Sequence, residues 1–377
     1  MNERLEKICF LPPVSDTPWV GAPSDDCSIS LERLDAKKVS LPLPLFWYDP
    51  PWAEIEMNTA DSIAAAVARL GVTVSALRRD LVVVDEESEL HLAVSDENAD
   101  EGAEETDREA SYLPRMLPYR PERYGVSDRD FDGAAVVDVR LAMRRDPDGR
   151  FAFTPDEITR WVATQDQTSI SGGSWVPAAS FPPDVDGMEK LGGKIRQLRM
   201  LAPDAVVLVS ISPHRLVDEL HEVLKSQPDG IILRLNELDL DPLDLARFVQ
   251  KTRGMMDDLA YGHLPLWIVP GEISADDAVK LIQLGANAVA VDSWCRELVD
   301  EIRDAQQNAS AGSGYSSYSS SSVQTWIDWV EYELGSHVER FDGLMHSVSY
   351  QSPGQRLATL SDKWAESLSI PKLNLPF

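Results

Sequence analysis

Between residues 41 and 300, short apolar runs alternate with amphipathic helical stretches, and this alternation restricts the fold more than any other feature of the chain. Leu43-Pro44-Leu45-Phe46-Trp47, Val72–Ala76, Ala135–Leu141, Ala205–Ile211, Gly230–Leu235, Leu264–Val269 and Ala288–Val291 each read as a strand. They lack the in-and-out alternation of a half-solvated strand, so they suit a parallel sheet buried on both faces. Helices are expected at Asn58–Leu70, Met188–Leu201, Pro213–Lys225, Leu243–Arg253, Ala275–Leu284 and Glu297–Gln307. Thr59 or Asp61 would cap the first and Gly71 would stop it; Thr154-Pro155-Asp156-Glu157 opens another with a capping box. An eighth strand at Thr168–Ile170 would complete a closed, TIM-type (β/α)8 barrel. A doubly wound sheet is the alternative, but no Gly-x-Gly-x-x-Gly turn follows any strand.

Four further stretches frame this unit. Residues 1–40, with Pro12, Pro13, Pro18 and Pro23, read as an irregular N-terminal arm on a barrel domain of 41–307. Residues 85–109 hold 12 acidic side chains and one basic one, a solvated loop flanked by a hairpin of Leu81–Val84 and Leu90–Val94. Residues 308–322 (NASAGSGYSSYSSSS) have linker composition. Residues 323–377 are expected as a small C-terminal helical extension, with Trp326, Ile327, Trp329 and Val330 at helical spacing as core.

Charge narrows the partners. Thirty-five Lys and Arg against 63 Asp and Glu leave a net charge of −28, which repels nucleic acid and anionic lipid. No apolar run approaches the ~18 residues of a membrane span. Cys9, Cys27 and Cys295 are too few and too scattered for a disulfide framework or a Cys-rich metal site, so no metal and a cytoplasmic setting are expected.

Several segments, in order, resemble the flavin-binding barrel of glutamate synthase. They are Leu43–Leu70 with its alanine-rich helix, Tyr119–Val126 (YRPERYGV), Phe153–Ile158, Trp175–Asp184 with Leu191–Leu198, Pro270–Lys280 (PGEISADDAVK) and Leu284–Val289. The resemblance implies an FMN-dependent barrel with a lysine on the central strand, beside the flavin ring, where positive charge stabilises the reduced anion. Ser210 stands at that position. The family's glycine-threonine-glycine turn is replaced by Leu235-Asn236-Glu237-Leu238. The implied phosphate site would be Gly271, Glu272, Ser274 and Asp292, with two carboxylates where a dianion would lie. The thiolates of an iron–sulfur cluster are missing, so no such cluster is expected.

Other chemistry is sparse. His214 and His221 fall seven apart without a third ligand at metal spacing. Asp239, Asp241 and Asp244 follow a strand at the end of the barrel where active sites form, and Asp241 before Pro242 reads as a helix cap. The sequence therefore points to a diverged glutamate-synthase-like barrel acting as a binding or scaffold subunit, with little or no redox activity and no cofactor, its partner an unidentified protein or small molecule. The alternatives are an FMN-dependent oxidoreductase of that type, and a non-flavin barrel enzyme using Glu237, Asp239 and Asp292 at the mouth.

Overall fold

A computed structural model describes residues 3–11, 27–33, 37–50, 52, 57–76, 114–120, 126, 128–141, 152–153, 176–177, 185, 187–311, 320–349 and 356–373. Strands β1 (Ile8–Phe10), β2 (Ile29–Glu32) and β3 (Lys38–Leu41) precede the barrel. The barrel strands are β4 (Leu45–Trp47), β5 (Thr73–Ser75), β6 (Arg115–Tyr119) and β7 (Val136–Arg140), then, after the short pair β8 (Ala152–Phe153) and β9 (Val176–Pro177), β10 (Val206–Ile211), β11 (Gly230–Arg234), β12 (Leu266–Val269) and β13 (Ala288–Ala290). All eight run parallel and close in the order β4-β5-β6-β7-β10-β11-β12-β13. This is a (β/α)8 barrel.

Helices α1 (Met57–Arg69), α2 (Asp128–Phe131), α3 (Met188–Leu201), α4 (Leu216–Lys225), α5 (Pro242–Asp258), α6 (Ala275–Gln283) and α7 (Arg296–Ala311) connect the strands. Thr59 and Asp61 lie inside α1 rather than at its cap. Gly71 follows that helix with φ +83°, a left-handed turn that glycine adopts without strain.

The barrel's eighth member is β6, Arg115–Tyr119, and not Thr168–Ile170, which lies outside the described residues together with the acidic stretch, the hairpin at 81–94 and the capping box at 154–157. Pro118 and the arginine break the apolar run that marks the other strands. Arg115 is nonetheless buried, its guanidinium donating to the carbonyls of Ala76 (3.0 Å), Asp130 (2.7 Å) and Asp132 (2.8 Å).

Two apolar layers result. Outward positions such as Val137, Val139, Val207 and Val209 pack under the helices, while Phe46, Val136, Val206, Leu208, Ile232 and Trp267 fill the interior. Leu31, Val39 and Leu41 of the β2–β3 hairpin join the interior cluster. Arg33 anchors that hairpin to the carbonyls of Pro203 (2.5 Å) and Ala205 (3.2 Å), just ahead of β10. The hairpin stoppers the N-terminal end of the barrel.

Beyond the barrel, α8 (Ser320–Trp329) continues through a π-helical turn, Val330–Leu334, into α9 (Gly335–Ser349), which packs on α6. Helices α7 and α8 therefore reach into the stretch of linker composition from both sides; 312–319 lie outside the described residues. Trp326 is buried and Trp329 half-buried. Strand β14 (Leu357–Thr359) pairs antiparallel with β1, and α10 (Asp362–Leu368) follows. Among the described residues no helix is long and apolar enough to cross a membrane.

Candidate functional site at the barrel mouth

With the other end plugged, the open end is the one where the strands finish, and side chains from five strands meet there. Alternation along β7 turns Asp138 and Arg140 inward with Val136. Arg140 is fully buried. Its Nε donates to Asp138 Oδ2 at 2.6 Å, and its Nη2 donates to the Tyr48 carbonyl at 2.6 Å and to Ser75 Oγ at 3.2 Å. Its Nη1 lies 3.3 Å from Asp49 Oδ1, and the guanidinium sits 3.7 Å above the centre of the Tyr48 ring. Burial alone would lower the Arg140 pKa, but Tyr48, Asp138 and Asp49 around it raise it.

Ser210, on the central strand, donates to Asp138 Oδ1 at 2.5 Å and accepts from the Tyr48 hydroxyl at 3.0 Å. Burial pushes the Tyr48 phenol up to about 12, against the pull of Arg140, so it remains a donor at neutral pH. The Ser210 hydroxyl is thus engaged inside a buried network with Tyr48, Ser75, Asp138 and Arg140. On the next strand Arg234 Nε lies 3.1 Å from Glu237 Oε1, and Ser212 donates to Glu237 Oε2 at 2.7 Å. Glu237 is therefore turned inward against Arg234, while Asp239 and Asp292 line the cleft above. Glu237 is not among the residues lining that cleft.

That cleft has a volume of about 1010 Å³ and is bordered by Asp49, Asp239, Glu272, Asp292, Asp300 and Glu3, with Arg4 and Arg296 as its basic members. Both arginines are engaged. Arg296 pairs with the exposed Glu272, whose carboxyl that hydrogen bond holds below its ordinary range. Arg4 donates to the carbonyls of Pro270 (3.1 Å) and Leu240, bridging the loops that follow β11 and β12. The arm carrying Arg4 is fixed by Asp277, which accepts from the backbone N–H groups of Arg4 (2.8 Å) and Leu5 (2.6 Å).

Asp292 closes the other side. Its carboxylate accepts from the backbone N–H groups of Tyr48 (3.2 Å) and Asp49 (2.8 Å). Burial raises its pKa to about 6, the neighbouring Asp49 charge adding to the rise and the two N–H donors opposing it. Burial also pushes Asp49 up, but Arg120 at 2.7 Å and Arg140 outweigh it and hold Asp49 below the usual carboxylate range.

Of the residues the resemblance assigns to phosphate, Gly271 borders the cleft with φ +81°, and Glu272 and Asp292 face it as carboxylates. Ser274 is not among the residues lining the cleft. It is the N-cap of α6, its hydroxyl accepting from Asp277 N (3.2 Å) and donating to Asp277 Oδ2 (2.8 Å) in a capping box. Asp241 caps α5 through Asp244 N at 2.8 Å. His214 lies in a 3₁₀ turn ahead of α4, and His221 within α4.

Tyr48, Asp49, Asp138, Arg140, Arg234 and Arg4 were not singled out from the sequence. The signal for three of them was present: a charge inside an otherwise apolar strand, in Val136-Val137-Asp138-Val139-Arg140 and in Gly230-Ile231-Ile232-Leu233-Arg234.

No family model and no curated protein matches the chain. Among solved structures it is similar to a mandelate oxidase variant with benzaldehyde, at 15% identity over 90% of this chain and 82% of that chain, with a TM-score of 0.43. Another similar structure is a flavocytochrome b2 variant with benzoylformate, at 12% identity over 99% of this chain and 80% of that chain, with a TM-score of 0.49. At such identities and scores no residue role passes from those proteins to this one.

Proposed function

We propose that the chain is a binding barrel, with little or no redox activity, whose mouth takes a small molecule bearing a positive charge. The observation that carries this reading is the seat of Asp292. Its carboxylate occupies the paired N–H groups of Tyr48 and Asp49, a position from which backbone amides would otherwise hold an anion. Asp49, Asp239, Glu272 and Asp300 add negative charge around the same cleft, and its two arginines are already engaged. The phosphate end of FMN does not fit this arrangement, since each carboxylate near a dianion costs on the order of 1 kcal/mol even at high dielectric.

Titration of agmatine, inorganic phosphate and FMN into the protein tests the reading. Agmatine is expected to bind more tightly as pH rises through about 6, where Asp292 loses its proton. FMN is expected to bind with a dissociation constant above ~100 μM, about −5.5 kcal/mol. A yellow purified protein, or tight FMN binding, overturns it.

A second reading, an FMN-dependent oxidoreductase, is favoured by the ring end of the same site. Arg140 and Arg234 stand buried on the strands flanking Ser210 and bring positive charge beside the central strand. That charge could serve a reduced flavin in place of the lysine that the glutamate synthase resemblance implies. The FMN titration separates the two readings.

A further inference from the structure

We propose that Cys27, Asp342 and His346 form a zinc(II) site that fastens the hairpin stopper of the barrel to helix α9. Cys27 lies two residues ahead of β2, and Asp342 and His346 share one face of α9, four residues apart. The Cys27 Sγ is 3.7 Å from His346 Nδ1, and His346 Nδ1 is 3.5 Å from Asp342 Oδ1. All three ligand atoms lie within 4.8 Å of one another. Tetrahedral zinc, with bonds of about 2.3 Å to sulfur and about 2.0–2.2 Å to nitrogen and oxygen, holds its ligand atoms roughly 3.3–3.6 Å apart. The observed separations are within reach of that figure.

Burial and charge point the same way. Cys27 and His346 are buried, at 3% and 5% exposure. Asp342 Oδ1 is buried, and among the described residues no hydrogen bond reaches it. A buried carboxylate oxygen without a donor is costly unless something positive meets it. A thiolate, a carboxylate and a neutral imidazole together balance a divalent cation, and the mixed sulfur, nitrogen and oxygen set suits zinc. Binding releases the Cys27 proton to solvent. It also moves His346 Nδ1 off the Asp342 carbonyl, 2.8 Å away, leaving the ring's proton on Nε2. Water completes the fourth position. No local spacing marks this site, because its cysteine and histidine are separated by 319 positions.

Cobalt(II) added to the metal-stripped full-length protein tests the proposal. We expect a thiolate-to-cobalt charge-transfer band together with the strong visible bands of a tetrahedral ion, both displaced by zinc. Zinc is expected to raise the melting temperature, since a ligand of the folded state stabilises it. Cys27→Ser should abolish the charge-transfer band. Asp342→Asn, which removes no hydrogen bond from Oδ1, should keep the fold and weaken cobalt at least about tenfold. Cobalt held only by the acidic barrel mouth would show no thiolate band, and that outcome overturns the proposal. So does a band that persists in Cys27→Ser. Should Cys27→Ser fail to fold, undiminished cobalt affinity in Asp342→Asn overturns it instead.

Discussion

Arg140 and Asp138 stand two residues apart on the inward face of one strand, and neither has solvent to fall back on. Replacing Arg140 with Met leaves the Asp138 carboxyl in a buried site with, among the described residues, only Ser210 as its hydrogen-bond donor. Loss of one partner from such a pair costs about 3–5 kcal/mol, which a urea melt would read directly. Arg140→Met combined with Asp138→Asn should recover part of that loss, whereas additive losses would show that the two side chains act independently. Asp292 offers a test of opposite sign. Its folded pKa of about 6 lies above the ordinary carboxylate value, so between about pH 4 and 6 the native state holds a proton that the unfolded chain has released. Stability falls as pH rises through that window, by up to about 3 kcal/mol. Asp292→Asn should remove this slope, so that the variant gains on the parent as pH rises from 4 to 7. A constant difference between the two melting curves would mean that Asp292 titrates normally.

Among the elements, those bounded by continuous apolar runs were legible in the chain, and β6 was not. Its five residues, Arg115-Met116-Leu117-Pro118-Tyr119, hold a charge and a proline, and only the three carbonyls around Arg115 make that charge compatible with burial. Such compensation comes from distant backbone and leaves no local pattern. The same holds at the site: Asp138 and Arg140 announce themselves as charges in an apolar strand, but the seat of Asp292 on the Tyr48 and Asp49 amides depends on barrel closure. In the C-terminal helices the spacing of Trp326 and Trp329 indicated one buried face, and the two rings differ in depth. Trp326→Ala should therefore cost about 3–5 kcal/mol, and Trp329→Ala only about 1–2 kcal/mol. Equal losses in thermal melts would place both rings in the core.

For the molecule as a whole, the two flanking segments meet on the outside of the barrel. Strands β1 and β14 pair from Ile8–Thr359 to Phe10–Leu357, and Thr359 Oγ1 donates to the Lys7 carbonyl at 2.6 Å. Removing residues 356–377 should lower the melting temperature by more than about 5 °C and leave β1 prone to self-association; an unchanged, monomeric truncation would show the seam to be dispensable. The seam also bears on synthesis. Strand β1 leaves the ribosome roughly 350 residues ahead of its partner, a delay on the order of 20–70 s at the usual pace of translation. The barrel has its own late partner, since β4 is paired on one side only when β13 arrives. Throughout that interval the nascent chain carries open strand edges that the finished fold conceals, so a chaperone that shields extended segments has its opportunity on this protein before β13 and β14 are made.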